Sequence, residues 1–188
     1  MTWTLTGNAQ YQPLSLRTSL NNNLVAWNGD PAFVPGSPGL SAGFIYMTRA
    51  YVDQSLAANT AYMGILTAGT GCTNCFIGIY DPATGNRLAQ TADVSTQMMT
   101  VALLQVALTS TLAAQALNQE LWLAVLMGAT TGTPTIVGRS PYGNNIGQSS
   151  DYRFQLSSTG SHTSLPSTVP TLVPATASQA MPFIGIGP

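Results

Sequence analysis

Two cysteines, one histidine and six acids are the whole stock from which this 188-residue chain could build a catalytic or metal-binding centre. Cys72-Thr73-Asn74-Cys75 has CxxC spacing. A structural zinc site needs four ligands, and the two thiols with His162 supply three at most. A thioredoxin-like CxxC opens a helix in a βαβ setting, whereas this one precedes a strand-like run. The plainer reading is a pair of small residues at a loop end, reduced or bridged to each other. His162 lies in a polar stretch, Ser161-His162-Thr163, and is expected to be exposed. No G-x-S-x-G, H-E-x-x-H or P-loop string is present. Hydrolysis by paired carboxylates needs two acids roughly 5–10 Å apart. Asp30 and Asp81 each precede a proline in turn sequences, where a structural role already accounts for them. No catalytic, cofactor-binding or metal-binding residue is therefore expected, and the chain reads as a structural or binding protein, not an enzyme.

The remaining candidates are aromatics. Trp3, Tyr11, Trp27, Phe33 and Tyr142 fall in segments that read as arm or loop. Exposed aromatics anchor interfaces or stack on sugars; alternatively they pin an arm to its own domain. For Trp3 and Trp27 a subunit contact is the expectation.

Composition narrows the partners. Only 6% of residues are charged, against roughly 25% in an average protein, and all five basic residues are arginine. Five scattered arginines make no patch for phosphates and no basic face for a membrane surface, so neither nucleic acid nor membrane is expected. Apolar residues make up 45% of the chain, which is ordinary for a globular protein. The formal net charge is −1, below the magnitude of about 2–8 that keeps a small free domain soluble. Either Ser, Thr, Asn and Gln solvate the surface, or partners cover much of it; we favour partners. MTWTLTGNAQYQ has neither a basic n-region nor an apolar h-region. The run Val101–Met127 is interrupted by polar residues, so it does not read as a membrane span. A soluble protein made in a cytoplasm is expected.

The elements that would position these residues are short strands. Phe76-Ile77-Gly78-Ile79-Tyr80, then Asp81-Pro82-Ala83-Thr84-Gly85-Asn86, then Arg87-Leu88-Ala89-Gln90-Thr91 reads as a hairpin with a medium loop. Ser41–Val52 is apolar on both faces, so a strand covered on both sides is expected there. Asn59–Leu66, Glu120–Met127, Thr135–Val137 and Tyr152–Leu156 read as further strands. Val101–Leu108 has helix-favouring residues, yet its surroundings argue strand. Leu112–Leu117 is expected to form a helical turn, and Gly138–Ser150 a polar loop. Residues 1–40 read as an extended N-terminal arm or as a first edge strand. Residues 41–188 read as one antiparallel all-β domain, a jelly-roll-like β-sandwich. The segment from Leu165 is Pro-rich, and Phe183-Ile184-Gly185-Ile186 closes the chain as a last short strand.

Over roughly residues 41–188 the chain resembles a β-sandwich module of virion structural proteins of tailed bacteriophages, especially those infecting actinobacteria. The resemblance rests on Gly78-Ile79-Tyr80-Asp81, Gly85, Leu88-Ala89-Gln90-Thr91-Ala92-Asp93 and Ser95. It continues through Val106-Ala107-Leu108-Thr109, Leu121-Trp122-Leu123-Ala124-Val125-Leu126, Gly128 and Pro134-Thr135. The Leu165-Pro166 start of the Pro/Ala/Thr tail is also similar. Such modules serve as head decoration proteins, head fibres or minor tail proteins. The resemblance does not choose among them; a short, single-module, low-charge chain with extended ends and no collagen-like or coiled-coil stalk fits a decoration (minor capsid) protein on the capsid exterior better than a tail fibre. Its partner would be the major capsid protein lattice, and it would be a homo-oligomer of closed cyclic symmetry, with a trimer expected. The alternative is a minor tail or tail-fibre module binding a host-surface receptor or carbohydrate. The chain departs from the pattern at Gln115–Gln119, which lacks the glycine on which the family often turns.

Overall fold

Alternating apolar side chains and turn residues every ten positions or so give this chain short strands and almost no helix. The computed structural model describes residues 23–29, 39–139, 152–175 and 179–188. Thirteen strands and one helical turn occupy these residues: β1 (Ala26–Trp27), β2 (Ile45–Val52), β3 (Ala58–Thr67), β4 (Thr73–Tyr80), β5 (Arg87–Gln90), α1 (Ser95–Met98), β6 (Ala102–Leu112), β7 (Glu120–Ala129), β8 (Thr135–Ile136), β9 (Gly138–Arg139), β10 (Phe154–Ser157), β11 (Leu172–Pro174), β12 (Met181–Pro182) and β13 (Gly185–Gly187). The main sheet runs β5-β4-β7-β2-β1-β13-β3-β6. Each described strand pairing is antiparallel. The all-β antiparallel class expected from the sequence is what the chain adopts.

The sheet folds over on itself. Its two end strands meet at a Thr91–Leu108 bridge, where the Thr109 hydroxyl donates to Gln90 O at 3.0 Å. Inward residues of both halves fill one core: Ile77 and Ile79 of β4, Leu121, Leu123 and Val125 of β7, Met63 and Ile65 of β3, and Ile186 of β13. The outer face of β4, β7 and β2 is covered as well. Ile45, Met47, Trp122, Ala124 and Leu126 form a second cluster under Leu165, with Val169 and Leu172 packed against it. This second layer explains why β7 is buried from Leu121 to Met127, and why β2 carries apolar side chains on both faces, as the sequence pattern required.

The 81–86 hairpin loop follows its turn chemistry. Asp81 accepts from Ala83 N at 3.0 Å and from Thr84 Oγ1 at 2.8 Å, and Gly85 sits at φ 74°, a conformation that costs a glycine nothing. Strand β6 shows tertiary pairing overriding helix propensity. Leu104, Leu108 and Leu112 are buried while Leu103, Gln105 and Ala107 are exposed, because β6 is paired along β3.

Three expectations change. Leu112–Leu117 is not a helical turn: Leu112 ends β6 as a buried core residue, so the chain cannot coil there. Among the described residues the helical turn is Ser95–Met98, where Met98 is buried. The missing glycine near Gln115–Gln119 is replaced by Asn118 at φ 62°, since Asn tolerates the left-handed region. Second, Gly138–Arg139, expected in a loop, pairs with Met181–Pro182. Third, the described part of the 1–40 segment is built into the sheet interior. Ala26 and Trp27 lie between β2 and β13, with Val25 and Ala26 fully buried.

Candidate functional site

Among the described residues, the groups with reactive chemistry are engaged in structure. Cys72 and Cys75 are free and buried, so the alternative of a local bridge falls away. Cys75 Sγ lies 3.4 Å from Met127 Sδ and 3.6 Å from Thr73 O; Cys72 Sγ lies 3.7 Å from Thr130 Oγ1. Burial pushes the Cys75 thiol up, which lowers its thiolate fraction and its reactivity. His162 is half-buried. Its backbone N–H donates to Gly43 O at 3.0 Å, and its Nε2 lies 3.5 Å from Thr159 Oγ1.

Asp81 and Asp93 serve turns, and Glu120 an ion pair. Asp81 is held below its usual range by the Thr84 hydroxyl and the Ala83 amide. For Asp93, burial alone would raise the carboxyl, but bonds from the Ser95 hydroxyl and from the Cys75, Ser95 and Asn74 amides outweigh it and bring it down. Glu120 Oε1 is 2.8 Å from Arg49 Nε, and the Arg49 guanidinium lies 5.0 Å over the Trp122 ring. Among the described residues, no group of three or more His, Cys, Asp or Glu side chains comes together.

Of the five aromatics singled out from sequence, Trp27 is described; Trp3, Tyr11, Phe33 and Tyr142 lie outside the described residues. Trp27 is buried in its own domain. It packs edge-on against Phe183, centroids 6.3 Å apart, in a small cluster with Leu24. Beside it, Asn28 joins three segments. Its side-chain amide donates to Thr48 Oγ1 at 2.9 Å and to Pro182 O at 2.5 Å, and its Oδ1 accepts from Ile184 N at 3.0 Å.

One group of apolar side chains on the outer surface is exposed across neighbouring strands. The register Gly64–Leu103 and Ile65–Ala102 sets Leu66 of β3 beside Val101 and diagonal to Leu103 of β6. These three side chains are 47%, 61% and 74% exposed, and Met99, also exposed, lies two residues before Val101. The outward positions of β6 from Leu103 to Thr111 are Leu, Gln, Ala, Thr and Thr, so this face carries no charge. An apolar group of this kind on a sheet marks an interaction surface more often than a single exposed leucine does. The sequence concealed it: in Ala-Leu-Leu-Gln, nothing local separates inward Leu104 from outward Leu103 until the pairing with β3 assigns the faces.

No protein-family model and no curated protein matches the chain.

Proposed function

We propose that the chain is a structural subunit of a bacteriophage virion, a decoration protein that binds the exterior of the assembled shell through the Leu66–Val101–Leu103 face. The observation that carries this reading is that neutral apolar face, on a chain with almost no charge to solvate its surface. The stretches on which the phage resemblance rests fall mainly on the β4–β5 hairpin and on strands β6 and β7, so the resembling strings include the strand that presents the face. Burial of apolar surface supplies the binding energy, at about 25 cal/mol per Å² before ordering costs. A protein that binds the assembled lattice and not its free subunits stabilises the lattice by mass action. Repetition of one weak contact over a symmetric oligomer, a trimer in this reading, multiplies it through effective concentration.

The test is cosedimentation of the purified protein with mature DNA-filled heads lacking it and, separately, with host cell envelopes. Saturable binding to heads, lost in Leu103→Asp, is the expected result. Binding to envelopes alone would replace this reading with that of a tail module for a receptor or carbohydrate.

A further inference from the structure

We propose that residues 158–171 form a flap that opens as a unit. It is hinged where β10 meets β11 and latched by Arg87, and its opening uncovers the apolar outer face of β4, β7 and β2 while the inner core stays folded. The segment is a fourteen-residue excursion whose two ends are tied together. Gln155, Leu156 and Ser157 pair with Pro174, Val173 and Leu172, and Ser158 N donates to Thr171 O at 2.9 Å. Ends close in space, with only the isolated Thr168–Asn86 bridge between them, define a compact loop able to move as one body.

The tip of the flap is held at one place, residues 80–87. The Arg87 guanidinium donates to Leu165 O and Pro166 O, and the Arg87 amide donates to Ser167 O at 2.8 Å. Three successive flap carbonyls are thus held by one residue. The Tyr80 hydroxyl adds a bond to Pro166 O at 2.9 Å, and Val169 N donates to Gly85 O at 2.8 Å. On the other flank, His162 N donates to Gly43 O at 3.0 Å.

Burial is lopsided in the same sense. Of residues 158–171, Leu165 is buried, while nine are exposed. Leu165 rests on Gly78, where an added Cβ would come within 2.6 Å of Leu165 Cδ1. The face beneath it, including Ile45, Met47, Trp122 and Leu126, forms a cluster separate from the inner core. Opening therefore breaks the packing of Leu165 and of the half-buried Val169 on the outer cluster, with a handful of hydrogen bonds, and leaves the contacts within the inner core cluster intact. Segments with few buried contacts open sub-globally, at lower free energy than the whole domain. Pro166 and Pro170 restrict the open loop, which limits the entropy gained on release.

Hydrogen exchange of the full chain, read by mass spectrometry, tests this. The His162 and Val169 amides, which bond across to Gly43 and Gly85, should exchange faster than the amides of Leu121–Met127 in the wild type. Arg87→Ala should raise flap exchange by at least about tenfold, from the loss of two charge-assisted bonds, with β7 exchange unchanged. Leu165→Ala, altered on the flap itself, should give the same pattern and covers the case in which Arg87→Ala fails to fold. Flap and β7 amides exchanging at a common rate, or moving together in Leu165→Ala, would overturn the proposal. Neither result bears on whether the protein binds a shell.

Discussion

Asn28→Ala should be among the most damaging single substitutions in this domain, although Asn28 belongs to a segment that reads as an arm. Its side chain makes three hydrogen bonds: to Thr48 Oγ1, to Pro182 O and from Ile184 N. Thr48 and Ile184 are fully buried. Each bond is worth about 1 kcal/mol net, so their loss costs about 3 kcal/mol. Orphaned buried groups add to this, and entry of water subtracts from it. For a chain of this size, where 1 kcal/mol moves Tm by about 2–4 °C, the drop should be about 6–12 °C. Thermal melts by circular dichroism and urea titration at pH 7 measure it. The double variant Asn28→Ala/Thr48→Val should recover part of the loss, because the orphaned hydroxyl is gone. Asn28→Asp should be more stable in mild acid than at pH 7, since only the protonated carboxyl can donate to Pro182 O. An Asn28→Ala variant within about 0.5 kcal/mol of wild type would refute the view that this residue joins the three segments.

Three further outcomes are expected. Burial pushes Tyr80 up to about 12 while an unfolded tyrosine titrates near 10; the neutral phenol is thus favoured in the fold. Its contribution is complete below about pH 10 and falls as pH rises through 12, and Tyr80→Phe should flatten this decline in urea titrations across that window. Leu103→Asp should change stability by no more than about 0.5 kcal/mol, as for an exposed site, yet abolish shell binding; retained binding would remove β6 from the proposed contact. A truncation that starts the chain at Gly39 removes β1 from between β2 and β13, and should give protein without a cooperative melt.

The strands were legible where one local signal decided them. Asp81-Pro82 and Gly85 specify a hairpin loop whatever surrounds it, and Ser41–Val52 and Glu120–Met127 announce strands covered on both faces by being apolar on both. Leu112–Leu117 was misread because its residues suit a helical turn, and only the core position waiting for Leu112 prevents one. The polar residue that matters most to the fold, Asn28, carries no motif. Its three partners lie 20, 154 and 156 residues away, so no window of sequence contains them.

By itself the sequence determined the all-β class, the hairpin and the shortage of charge, because alternation, turn residues and composition act over a few positions at a time. Tertiary structure decided that Trp27 is packed inside its own domain against Phe183. It decided that Leu104 faces the core and Leu103 faces out, and that Arg87 closes over residues nearly eighty positions further along the chain. Those outcomes depend on which strands become neighbours. Neighbours are chosen by the burial of the whole sheet, which no single segment can specify.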